Sequence, residues 1–155
     1  MTFFKTLLFL LFVPVLLLGV LPIRLITTST AWFSFGVLRW LALPLWLVGA
    51  VMMTWCARDF TIKGRGTPAP LDPPKELVIC GLYHYLRNPM YVAGILVLLG
   101  YVFWHPTPAI LICPSAFFLA AHLFVTRYEE PHLRKIFGEK YAQYCKYVPR
   151  WIPHL

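Results

Sequence analysis

Two groups of polar residues interrupt a chain that is otherwise apolar. Gly81, Tyr83, His84, Tyr85, Arg87, Asn88 and Tyr91 lead into one apolar run, and Arg127, Glu129, Glu130 and His132 follow another. These residue types suit the binding of a charged small molecule. Arginine can bridge to a carboxylate, glutamate can hold hydroxyls or an ammonium, and tyrosine can pack beside a cation or an aromatic ring. Glu129 and Glu130 are adjacent where a helix leaves a low-dielectric layer, so they repel each other unless a cation joins them. Arg87 or a cationic ligand would serve. The alternative is that all these charges only anchor helix ends at headgroup level.

Other chemistries fail on spacing. Glu129 and His132 have the E-x-x-H interval of a carboxylate-bridged di-iron site, but no second copy exists to complete it. H-E-x-x-H is absent, and Cys56, Cys80, Cys113 and Cys145 contain no C-x-x-C, so neither a metal nor a disulfide framework is expected. Gly64-x-Gly66 lies among prolines without a βαβ context, which excludes a Rossmann cofactor site. His105 reads as a turn residue and His122 as a helix-packing one. Tyr141, Tyr144 and Trp151 read as an interfacial aromatic belt.

The elements that must position the two clusters follow from composition. Of 155 residues, 59% are hydrophobic and only 13% charged, with a mean hydropathy of +0.68. That excludes an ordinary water-soluble globule and predicts one compact, all-α integral membrane unit with about four spans. The first run, Thr6 to Ile23 with Pro14 inside it, follows Lys5 and lacks a small-x-small cleavage signature, so it reads as a span and not a signal peptide. After a polar stretch from Arg24 to Thr30 comes a second run, about Trp40 to Ala57. Asp59 to Asn88, with Gly64, Gly66, Pro68, Pro70, Pro73 and Pro74, reads as a loop. Pro89 to Trp104 and Thr107 to Thr126 are separated only by His105 and Pro106, which predicts a tight hairpin. Beyond Glu130, Leu133, Ile136, Phe137, Tyr141 and Tyr144 recur at helical spacing, predicting an amphipathic interfacial helix with Pro131 in its first turn.

A hairpin would bring both polar clusters to one membrane surface. The net charge of +8 then has a membrane explanation. An even number of spans places twelve Lys and Arg on one side (positions 5, 58, 63, 65, 75, 87, 127, 134, 135, 140, 146 and 150) and only Arg24 and Arg39 on the other. Both termini and the long loop are therefore expected at the cytoplasmic face, with no nucleic acid as partner.

The string Gly81, Tyr83, Arg87, Asn88, Pro89, Met90, Tyr91, then Glu129, Glu130 and Leu133, resembles the isoprenylcysteine carboxyl methyltransferase and phospholipid methyltransferase family. Phe137, Gly138, Tyr141, Tyr144, Val148, Pro149 and Arg150 resemble its C-terminal signature, so the resemblance covers Lys75 to Pro153. It implies S-adenosylmethionine bound without a Rossmann fold, and methyl transfer to a lipid, a lipidated acceptor or another hydrophobic molecule. By position, Lys75, Glu76, Leu77, Val78, Tyr83, Asn88, Pro89, Met90, Tyr91 and Glu129 resemble the cofactor contacts. Arg87, as partner for a carboxylate, and Glu130, as a helper acid, are the expected catalytic residues.

Three positions depart from the pattern. Asn88 stands where the eukaryotic enzymes have histidine, and it cannot titrate. Ala93 replaces a frequent glycine, and Val125 replaces a substrate-contacting arginine, with Arg127 nearby. Competing readings are a sterol-reductase-like oxidoreductase using NADPH and a non-enzymatic membrane scaffold.

Overall fold

The computed structural model describes residues 15–63 and 76–153. Lys5, Pro14, Gly64 to Pro74 and Lys75 lie outside the described residues. Within them the fold is helical with no strand. Helix α1 spans Val15–Thr27, α2 Gly36–Ile62, α3 Pro89–Trp104, α4 Pro108–Phe137 and α5 Glu139–Tyr147. Two of these, α2 and α4, are long and apolar enough to cross a membrane, while α1 and α3 are shorter apolar helices. Their outward faces are greasy: Val37 is 84% exposed, Leu47 66% and Ile112 65%. In a protein whose helices are this apolar, such faces belong against lipid.

Small residues set the close packing of α2 on α3. A Cβ on Gly49 would lie 2.9 Å from the Ala93 carbonyl oxygen and 2.7 Å from Val97 Cγ2, so only glycine admits this approach. Farther along, Gly100 leaves room for the Trp46 ring, and the Trp46 indole N–H donates to the Val97 carbonyl at 3.1 Å. On α1, Leu18 is buried and lies over Gly94 of α3 together with Phe117 of α4.

The expected hairpin is present. Residues 105–107 join α3 to α4, and the Ile110 N–H donates to Thr107 Oγ1 at 3.3 Å, capping α4 at its start. Pro106 accepts a hydrogen bond from the Trp32 N–H at 3.0 Å, tying the α1–α2 connection to this bend. Trp40, Trp46, Tyr101 and Trp104 cluster at the same end, with the Arg39 guanidinium 4.9 Å from the Trp40 ring centre.

Three boundaries differ from the sequence expectation. Helix α2 runs on past Ala57 through Asp59 to Ile62, because no proline or glycine interrupts it there. The loop contains its own short turn, a 3-10 segment over Gly81–His84. The segment beyond Glu130 is not a separate helix: α4 continues through a wider π-type turn, Val125–Glu129, to Phe137. The break comes instead at Gly138, whose φ of +53° starts α5 in a new direction.

Gly49→Ala is therefore expected to lower stability by about 1–3 kcal/mol through forced separation of α2 and α3. Gly19→Ala, which meets nothing within 4 Å, is the matched control. Thermal unfolding of the two variants in detergent checks the difference.

Candidate functional site

The site is assembled at the end of the helices remote from the bend. The stretch before α3 turns back on itself at Gly81, whose φ of +57° favours glycine, and whose missing Cβ leaves space for Asp59 and Trp55 of α2. The 3-10 turn that follows buries Tyr83 against Cys56 and Phe60 of α2, with Val78 and Met90 in the same cluster. Pro89 opens α3, where a missing N–H is harmless, and is itself fully buried.

One turn into α3, the Tyr91 hydroxyl donates to Glu129 Oε2 at 3.0 Å. The two sequence clusters thus meet, one from α3 and one from the π turn of α4. Neighbouring residues on a helix point in different directions, and the two acids divide accordingly. Glu130 is 8% exposed and takes two guanidinium groups. Arg87 Nη1 reaches Oε1 at 2.9 Å, while Arg150 places Nε on Oε1 at 2.7 Å and Nη2 on Oε2 at 2.9 Å. Glu129 makes no ion pair among the described residues, where its side-chain partner is the Tyr91 phenol.

The chain beyond α5 closes over this arrangement. Arg87 N–H donates to the Pro149 carbonyl at 2.9 Å, the Asn88 amide to the Arg150 carbonyl at 3.1 Å, and the Tyr144 hydroxyl to the Tyr83 carbonyl at 2.6 Å. Arg87 Nη1 also lies 2.8 Å from Cys145 Sγ, while its Nε is buried without an acceptor. Burial pushes the Tyr83 and Tyr144 phenols above their ordinary range, and the nearby Cys56 thiol and Glu129 carboxylate push Tyr83 further. Both phenols therefore stay protonated.

Beside Tyr83, the end of α2 and the returning chain enclose an open pocket of about 440 Å³, lined by Ile62, Lys63, Glu76, Leu77, Val78, Ile79 and Cys80. That volume is within the usual range for a small ligand. Of the residues singled out in the sequence, Glu76, Leu77 and Val78 line this pocket; Tyr91 and Glu129 are bonded; Arg87 and Glu130 are bonded. Asn88 is 6% exposed and holds the tail. Lys75 lies outside the described residues. No group of three metal-ligating side chains occurs among the described residues.

The aromatic belt reading needs correction for two residues. Tyr141 and Tyr144 are 3% and 7% exposed and form a core with Val148, packed by Leu77, Leu133 and Phe137, because α5 turns this face toward the protein. Trp151 donates its indole N–H to His122 Nδ1 at 3.2 Å. Sequence reasoning gave no site role to Arg150, Cys145 or Tyr144. Nothing in their local spacing points to partners 20 to 61 residues away.

Comparison with known proteins matches this chain to a family. A family model described as phospholipid methyltransferase matches residues 37–140, more than half of the chain. Protein-S-isoprenylcysteine O-methyltransferase B of Arabidopsis thaliana is 28% identical over 85 residues, covering 50% of this chain and 40% of the relative. Phosphatidylethanolamine N-methyltransferase of Candida tropicalis (strain ATCC MYA-3404 / T1) is 30% identical over 86 residues, covering 56% of this chain and 9% of that protein. The chain thus spans less than half the length of either of these curated relatives. No solved structure matches it significantly. With the family model spanning α2 to the start of α5, and so both polar clusters, the chain belongs to the phospholipid methyltransferase family.

Proposed function

We propose that the chain is an S-adenosylmethionine-dependent methyltransferase acting on a lipid, lipidated or other hydrophobic acceptor at the cytoplasmic face of a membrane. It would cross the bilayer about four times as a single unit with both termini on that face. The observation that carries this reading is the asymmetry of the two acids. Glu130 already holds two arginines, whereas Glu129 faces a phenol and has no cation among the described residues. A carboxylate at a low-dielectric boundary is stabilised by a positive or multiply donating ligand. The methyl donor carries an ammonium and ribose hydroxyls. The names of the two relatives, one acting on isoprenylcysteine and one on phosphatidylethanolamine, support a hydrophobic acceptor.

The residues fit such a cofactor. Glu129 accepts from its hydroxyls or ammonium, and Tyr91 holds the carboxylate in place while offering a ring beside the sulfonium. Tyr83 and the strip Glu76, Leu77 and Val78 border the space for adenine, and Lys75, the sequence neighbour of that strip, is proposed as a further contact. Asn88, Pro89 and Met90 fix the start of α3 so that Tyr91 points inward. The buried, unpartnered Arg87 Nε is the donor available to a carboxylate, and Glu130 positions Arg87 for it. When bound, S-adenosylmethionine supplies a methyl group already activated by positive charge. The protein's own work is then positioning, exclusion of water and electrostatics, and no covalent nucleophile is required. The apolar faces of the helices give a lipid tail access from the side while the polar donor enters from the cytoplasm.

In calorimetric titrations of purified full-length chain in detergent, wild type is expected to bind S-adenosylmethionine and not NADPH. Glu129→Gln should weaken that binding by about 10-fold or more, the scale of a lost charged hydrogen bond, and Tyr91→Phe by about 3- to 10-fold. Unchanged affinity in both variants would refute the site. Arg150→Ala is expected to act differently: it leaves the buried Glu130 with one cation and lowers unfolding stability by about 1–2 kcal/mol, allowing for the partial exposure of Arg150. Chemical denaturation of the Arg150→Ala protein measures this.

A further inference from the structure

His122 is an ionisable side chain within the apolar part of α4, and neither the family signature nor the cofactor site uses it. An intramembrane histidine is costly to keep unless something polar meets it. Trp151 meets one side. Its indole N–H donates to Nδ1, which must therefore be the unprotonated nitrogen, so the imidazole proton sits on Nε2. Nε2–H has no acceptor among the described residues, and His122 is only half-buried. An N–H donor without an acceptor beside an apolar helix face calls for a ligand oxygen.

The position of His122 says where that oxygen would belong. The Trp151 ring stands edge-on to Phe118 at 5.1 Å and to Tyr91 at 6.3 Å between ring centres. Tyr91 in turn bonds Glu129. Glu129, Tyr91, Trp151 and His122 thus form one continuous wall running from the polar end of α4 into its apolar part. His122 precedes Glu129 by seven residues, about 10 Å along the helix axis. The headgroup layer of one leaflet is about 5–8 Å thick. An amphiphile whose reacting group meets the sulfonium beside Tyr91, level with Glu129, therefore places its linker oxygens, phosphate or ester, toward the base of that layer and within reach of His122.

We infer that His122, held in its Nε2–H form by Trp151, is a binding residue for the methyl acceptor and donates a hydrogen bond to a phosphate or ester oxygen that links the acceptor's headgroup to its tails. The inference rests on the methyltransferase reading, and deepens it by giving the acceptor side a named contact. Val125, one turn nearer the polar end of α4, is 1% exposed and carries no polar group, so it offers no competing contact.

The test is lipid binding followed by native mass spectrometry on the full-length chain in detergent, with diacyl phosphatidylethanolamine and its diether analogue as probes. Both carry the phosphate, and only the first carries ester carbonyls. His122→Phe is expected to bind the diacyl lipid about three- to tenfold more weakly, the effect of one hydrogen bond. His122→Gln, which keeps a donor and an acceptor, should restore most of it. A loss confined to the diacyl lipid assigns the ester carbonyl, and an equal loss for both lipids assigns the phosphate. Unchanged affinity for both lipids in His122→Phe, or no binding of either lipid by wild type, overturns the inference. Cofactor titration of the same preparations separates this from the methyltransferase reading: that reading fails if wild type does not bind S-adenosylmethionine, whereas the acceptor contact fails with cofactor affinity intact.

Discussion

Two neighbouring carboxylates at the edge of an apolar layer constrain everything else in this molecule. Charges there are poorly solvated, and each must find compensation within reach of its own side chain. Glu130 finds it in Arg87 and Arg150, and so draws the chain after α5 back onto the start of α3. Glu129 finds a phenol and, among the described residues, no cation. Glu130 works as a fastening, and Glu129 is left as the proposed ligand site.

The rest of the architecture keeps these two acids in register. The short bend at residues 105–107 makes α3 and α4 antiparallel neighbours, so that Tyr91 and Glu129 arrive at the same level. The π turn over Val125–Glu129 lies immediately where the two acids must diverge, a common place for such a widened turn. Glycines at 49 and 100 bring α2 against α3, and the far end of α2 then supplies Cys56, Phe60, Ile62 and Lys63 to the surroundings of Tyr83 and the adjoining pocket. Packing within the apolar layer and polar chemistry at its edge are thus set by the same two helices.

Much of this was legible in the residues. The runs flanking His105 and Pro106 give the hairpin by length alone, and the polar clusters at their far ends then have to meet. The lengths of α2 and α4 were less legible, because both helices pass from apolar to polar surroundings without a breaking residue, and hydropathy marks the change of environment, not the end of the helix. The tail clasp was hidden for another reason. Arg150, Tyr144 and Asn88 act through partners far away in sequence, and periodicity carries information only about near neighbours. Tyr141 and Tyr144 look like an interfacial belt until Gly138 turns α5 inward and buries them.

The central claim is that the uncompensated acid marks a receptacle for a methyl donor next to a lipid-accessible wall. It is tested most directly by incubating the purified chain with methyl-labelled S-adenosylmethionine and a native lipid extract, then identifying labelled species by mass spectrometry. Label is expected in an amphiphilic product, dependent on the protein. Absence of any labelled lipid or lipidated product, with folded protein and intact donor, would contradict it.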